Sequence, residues 1–154
     1  MRLPRIMQRA VLRSRLYYLL AGMYRHFGNT NHVVSEYERA VEAFTRAATL
    51  DPAFARAYLE RGILYWRELD LPRRAVLDLT KAYDLDTTLI EARFNRGIAH
   101  QQLREYEEAV ADFRAYLAEG KHPHWREYAE SMLRELPEWV TTEGEGSCRS
   151  VEGV

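Results

Sequence analysis

Cysteine is almost absent from this 154-residue chain: there is one, Cys148, in a polar stretch near the end. No intramolecular disulfide can form, and no cysteine-based metal site can be built. A reducing, cytoplasmic setting is the expectation that follows. Glycine (8) and proline (5) are sparse, which excludes a collagen-like or loop-dominated chain. No apolar run approaches the roughly 18 residues that a membrane-spanning helix needs. Acidic residues are missing altogether from residues 1–35, which carry Arg2, Arg5, Arg9, Arg13, Arg15 and Arg25. The remainder holds 16 bases against 23 acids, a net of −7, although the whole chain sums to −1. A short basic head on an acidic body argues against a nucleic-acid-binding protein.

Catalytic signatures are missing too. There is no Gly-rich phosphate loop, no Gly-x-Ser-x-Gly and no His-Glu-x-x-His. His122 and His124 share a loop with no further ligand suggested, and read as part of a turn. His100 reads as structural. Glu105, Glu107 and Glu108 read as a solvated charge run, since a catalytic carboxylate pair needs contrasting environments. No catalytic residue, metal or cofactor is expected.

What is present is a repeat. Hydrophobic residues make up 47% of the chain and charged residues 29%, enough for one domain with a core and a solvated surface. A small residue recurs at Ala40, Ala75 and Ala109. Four residues later stand Phe44, Leu79 and Phe113, and three further on Ala47, Ala82 and Tyr116. Steps of four and three put each trio on one helical stripe. A second helix type precedes each of these: Arg61-Gly62-Ile63 matches Arg96-Gly97-Ile98, with Ala21-Gly22-Met23 the weaker counterpart. A glycine inside a helix costs about 1 kcal/mol relative to alanine, so its recurrence predicts close approach by a neighbouring helix.

The spacing locates the variation. Ala40 to Gly62 and Ala75 to Gly97 are each 22 residues, so the link between units is constant. From each glycine to the next alanine the counts are 18, 13 and 12, so the turn within a unit varies. The pattern predicts helices at about 5–27, 36–50, 54–68, 72–84, 89–103, 106–119 and 123–136, with Gly28–Ser35 projecting as an irregular insertion. Ser35 is placed to cap the second helix in a capping box with Glu38. Pro52, Pro72 and Pro123 suit helix starts and Gly120 a helix end. The last helix, with Trp125, Tyr128, Ala129, Met132, Leu133 and Leu136, is expected to cover the apolar face of the final unit. Residues 141–154 read as disordered from their composition.

These residues resemble the tetratricopeptide repeat (TPR) family, whose period is about 34 residues. Gly62 and Gly97, Ala75 and Ala109, Leu79 and Phe113, Tyr65, and Asp51-Pro52 at the end of a unit carry the resemblance, over roughly residues 15–136. The chain departs from the pattern at Thr87, where proline is usual, and at Arg25, where an aromatic is usual. The resemblance implies an all-α, right-handed α-solenoid. Residues 1–14 would form a basic helical extension. Residues 15–136 would hold three helix-turn-helix units at about 15–53, 54–88 and 89–120, with a capping helix at 123–136. Residues 137–154 would form a tail.

In that family the first helix of each unit lines a concave face, and the function implied is non-catalytic protein binding. Carried over position by position, the groove comprises Leu16, Leu19 and Met23 from the first unit, with His26 beside them. The second supplies Leu59, Ile63, Trp66 and Arg67, and the third Phe94, Asn95, Ile98, Gln101 and Gln102. This is an apolar floor suited to a partner helix or extended segment, with Trp66 its natural anchor. Asn95 matches one place of the carboxylate clamp by which one branch of the family holds acidic peptide tails. Leu19 and Met23 are apolar where that clamp needs polar groups, so chaperone-tail binding is disfavoured. For the basic head three readings compete. It covers the open edge of the first repeat, or mediates self-association, or lies on an anionic membrane or acts as a targeting segment.

Overall fold

Short breaks divide the described residues into seven helices. In the computed structural model, which describes residues 4–135, these are α1 (Arg5–Asn31), α2 (Val34–Leu50), α3 (Ala55–Arg67), α4 (Pro72–Leu85), α5 (Glu91–Gln102), α6 (Tyr106–Glu119) and α7 (Pro123–Glu135). Regular structure among the described residues is entirely helical. The helices pair in chain order, α1 with α2, α3 with α4 and α5 with α6. Each pair leans on the next through α2–α3 and α4–α5, and α7 lies on α6. Every unit thus contacts chiefly its neighbours, the arrangement of an α-solenoid. Leu136 and residues 137–154 lie outside the described residues.

The repeated stripe is the core. Ala40, Ala75 and Ala109 are fully buried, as are Phe44, Leu79, Phe113, Ala47, Ala82 and Tyr116. Alanine at these places lets paired helices approach, and the larger residue one turn on fills the space between pairs. The glycines complete the fit in two units. A β-carbon at Gly62 would meet Leu79 Cγ at 2.8 Å, and one at Gly97 would meet Phe113 Cε1 at 2.9 Å. At Gly22 a β-carbon would meet nothing within 4 Å.

The turns repeat as well. The turn after the first helix of each unit holds one left-handed residue: His32, Asp70 and Arg104 have φ of 53°, 52° and 61°. Asp51 Oδ1 accepts from the Ala53 N–H at 3.3 Å, and Asp86 Oδ1 from the Thr88 N–H at 3.0 Å. The aspartate therefore closes the inter-unit turn in both places, and Thr87 substitutes for Pro52 without changing it.

Two local expectations are corrected. Gly28–Ser35 does not project: α1 runs on to Asn31 and α2 begins at Val34, leaving two residues between them. Gly28 makes this fit, because the Tyr37 ring lies where its side chain would be, and Tyr37 Oη donates to Asn29 Oδ1 at 3.1 Å. Ser35 consequently sits inside α2, whose N-cap is Val33 with no side-chain cap. Gly120 does follow the last residue of α6, with φ of −70° and no left-handed turn. Its lack of a side chain makes room for the Tyr116 ring.

Candidate protein-binding face

Aligning Gly22, Gly62 and Gly97 places the first helices α1, α3 and α5 in one register. Leu16 then corresponds to Arg56 and Glu91, Leu19 to Leu59 and Phe94, and Met23 to Ile63 and Ile98. Burial separates them sharply. Leu59, Phe94 and Ile98 are 3, 6 and 8% exposed, whereas Leu16, Leu19 and Met23 are 58, 63 and 56% exposed. Leu59 packs with Leu89 and Ala92 between units. Phe94 stacks on Trp125 with ring centroids 5.2 Å apart and planes 5° from parallel, with the Tyr128 edge at 5.6 Å. Ile98 joins Phe94 and Ala129 in that cluster beneath α7. Among the described residues no helix covers the corresponding positions on α1.

The remaining predicted residues divide by what they touch. Ile63 and Trp66 are half-buried, and Trp66 Nε1 donates to Asn95 Oδ1 at 3.3 Å. Asn95 is buried and its Nδ2 donates to the Glu91 carbonyl at 2.8 Å, so both ends of its amide are engaged inside the protein. Gln101 Nε2 reaches Met132 Sδ at 3.1 Å, tying α5 to α7. Gln102 is exposed, and its Nε2 donates to the Trp66 carbonyl at 3.5 Å. Arg67 is exposed and its Nε donates to Glu68 Oε1 at 2.7 Å. His26 is exposed beside the Phe27 ring. Thus Leu59, Phe94, Asn95 and Ile98 serve packing. Leu16, Leu19, Met23, Arg67 and Gln102 face outward, and Ile63, Trp66 and Gln101 lie between.

The outward apolar face of α1 is larger than the three residues carried over by resemblance. Leu12, Leu20 and Phe27 are exposed as well. Leu12, Leu16, Leu19, Leu20, Met23 and Phe27 follow steps of 4, 3, 1, 3 and 4 residues, one continuous helical stripe. The opposite side, Ser14, Ala21 and Gly28 at steps of seven, is the buried one. Monomers rarely expose contiguous apolar patches of more than a few hundred Å². The period was readable in the sequence, and assigning α1 two apolar sides would have located the stripe.

A repeated ion pair positions the later first helices. Arg61 Nε and Nη2 donate to Asp78 Oδ2 and Oδ1 at 2.6 and 2.7 Å, and Nη1 to Thr45 Oγ1 at 2.8 Å. Arg96 does the same with Asp112 at 2.7 and 2.6 Å and with Thr80 at 3.0 Å. Each arginine joins the two helices of its own unit to the second helix of the unit before. Burial disfavours the Arg61 charge, but the Asp78 hydrogen bonds and charge outweigh it and hold the guanidinium above its ordinary pKa. The Asp112 hydrogen bonds do the same for Arg96 against burial. In α1 the corresponding residue is Ala21, and Ala43 stands where Asp78 does. The recurrence of arginine before each glycine and of aspartate before Leu79 and Phe113 was the available signal. Arg25 instead pairs with Glu60, linking α1 to α3.

Comparison with known proteins agrees with this geometry. Residues 90–119 match the family profile described as tetratricopeptide repeat. The chain is 34% identical over 104 residues to DnaJ homolog subfamily C member 7 of Homo sapiens, covering 63% of this chain and 20% of that protein. It is 31% identical over 85 residues to Tetratricopeptide repeat protein 6 of Homo sapiens, covering 54% of this chain and 16% of that one. The chain therefore spans about a fifth or less of these relatives' length. Among solved structures, the first TPR of Spaghetti (RPAP3) bound to the HSP90 peptide SRMEEVD superposes with a TM-score of 0.70 at 21% identity, covering 80% of this chain and 93% of that one. The Arabidopsis OM64 TPR domain superposes with a TM-score of 0.69 at 25% identity, covering 82% and 99%. Stacked helix pairs, the repeated glycine and alanine contacts and these likenesses have one reading: the chain has the fold of a tetratricopeptide repeat domain, and residues 90–119 match that family's profile.

Proposed function

We propose that the protein is a non-catalytic interaction module that holds an apolar helix or extended segment of another protein along the outward face of its first helices. The exposed stripe Leu16, Leu19, Met23 and Phe27 on α1 carries this reading. Ile63, Trp66, Arg67, Gln101 and Gln102 continue the face onto α3 and α5, and apolar anchors in such a face supply most of the binding energy. The likeness to a TPR domain bound to a peptide supports peptide binding in general. An acidic tail held by a carboxylate clamp is disfavoured here, since Leu19 and Met23 offer no hydrogen bond and the Asn95 amide is committed to Trp66 and Glu91.

The test is affinity capture with a folded Leu19→Asp, Met23→Asp variant beside the wild type. The variant is expected to lose the partners that the wild type retains, and equal recovery overturns the groove reading. A self-assembling role is the second reading, favoured by the exposure of Ile6 and Met7 at the start of α1. Light scattering on the full chain and on one lacking residues 1–14 decides it: two monomers at high concentration end that reading.

A further inference from the structure

The geometry points to a docking surface that adjoins the proposed face and shares Leu16 and Leu20 with it: the α1/α2 seam takes an α-helix with an apolar ridge flanked by carboxylates. At the later edges each first helix presents a fully buried alanine, Ala57 or Ala92, to the second helix of the preceding unit. Ala57 clusters with Ala47 and Ala48 of α2, and Ala92 with Ala82 of α4. In α1 that position is Tyr17, half-buried, with no described helix over it. A tyrosine there holds a neighbouring helix further away than the alanine-on-alanine contacts of the stack. The edge is therefore not shaped for another ordinary repeat.

It is shaped for something with larger side chains. A cavity of about 560 Å³ opens there, with Arg13, Leu16, Tyr17, Leu20, Arg46 and Leu50 among its walls, and continues along Tyr24 and Arg39. On α1, Tyr17, Leu20 and Tyr24 recur at steps of three and four. On α2, Arg39, Arg46 and Leu50 recur at steps of seven and four. Two such ridges enclose a groove with the periodicity of a helix, into which the side-chain ridge of a third helix fits.

Charge selects among helices. α1 contains no acidic residue, and Arg9 and Arg13 are exposed on it. Arg39 and Arg46 stand across the seam, with guanidinium groups over the Tyr24 and Tyr17 rings at 6.0 and 5.6 Å. The acids on this side are Glu36 and Glu42, hydrogen-bonded to Arg39 and Arg46 at 3.1 and 2.6 Å. Pairing this edge with its own copy would bring arginines together. A helix with carboxylates beside its apolar ridge gains charge-assisted, fork-matched hydrogen bonds. The recessed shape and the presence of Glu42 favour a helix over a flat anionic membrane.

The experiment titrates the full chain against two fluorescent synthetic 21-residue helices with identical leucine faces, one flanked by glutamate and the other by lysine. The glutamate peptide is expected to bind at least tenfold tighter, with the gap narrowing as salt rises. Leu20→Glu, an exposed position, should weaken it at least tenfold, and Leu77→Glu on the far face of α4 should not. Arg13→Glu with Arg46→Glu should reverse the preference between the two peptides. Equal affinities, no reversal on charge exchange, or a dimer in light scattering that excludes both peptides overturns the proposal. So does a chain that binds phosphatidylglycerol vesicles and ignores the glutamate peptide.

Discussion

The first helix pair and the two that follow share one architecture but not one way of being held. In units two and three a glycine lies against the neighbouring helix, and a bidentate arginine–aspartate pair locks the first helix to the second. In unit one Gly22 faces open space, Ala21 and Ala43 stand where the ion pair would be, and Ser14 Oγ of α1 donates to the Ala47 carbonyl at 2.9 Å. At the positions matching Leu19 and Met23 the later units turn Leu59, Phe94 and Ile98 inward. Unit one keeps a full apolar stripe outside. Units two and three are packed on both sides by described helices, whereas the outer side of α1 carries no further described helix and keeps its apolar residues exposed.

The largest effect expected from breaking this contrast is at the ion pair. Asp112→Ala leaves Arg96 charged and largely buried without its partner, and should cost about 3–5 kcal/mol in urea denaturation. Arg96→Met with Asp112→Leu should fall near wild type, because it removes both charges together. A double variant as damaged as the single one would show that the pair contributes more than charge compensation.

The glycines sharpen the comparison at the next scale. Gly97→Ala pushes a methyl group into the fully buried Phe113 ring and should destabilise by about 1–3 kcal/mol. Gly22→Ala meets no neighbour and should stabilise by about 1 kcal/mol, the ordinary gain of alanine over glycine in a helix. If both substitutions shift the midpoint in the same direction, the packing contrast between the units is wrong. The smallest effect is expected at the turns. Arg104 is held in a left-handed conformation that asparagine, aspartate or glycine tolerates better. Arg104→Gly should stabilise by about 0.5 kcal/mol, the released strain exceeding the entropy that glycine loses. Asp70→Gly, at the matching turn, should gain less.

Much of this fold was legible in the residues. Steps of four and three from Ala40, Ala75 and Ala109 marked the buried stripe, because helical geometry forces residues at that spacing onto one side. Recurrent glycine at positions 62 and 97 announced close packing for the same local reason. The candidate face was legible only in part. Leu16, Leu19 and Met23 are exposed, whereas Leu59, Phe94 and Ile98 occupy equivalent or neighbouring helical positions and lie inside. A resemblance transfers a position, but not the burial that α7 and the next unit impose on it. The insertion between the first two helices was misread because a count of residues does not distinguish a projecting loop from an extra helical turn. That turn fits only because Gly28 yields its space to Tyr37.

By itself, then, the sequence determined the helical period, the number and order of the units, the alanine and glycine contacts between them, and the separation of a basic head from an acidic body. These are consequences of local geometry and composition. Tertiary structure alone decided which of two similar leucines faces solvent, which arginine meets which aspartate across 16 or 17 residues, and which of three glycines is needed for packing. Each depends on what a neighbouring helix places against the residue. Periodicity sets the direction a side chain takes from its own helix, and packing sets what it meets.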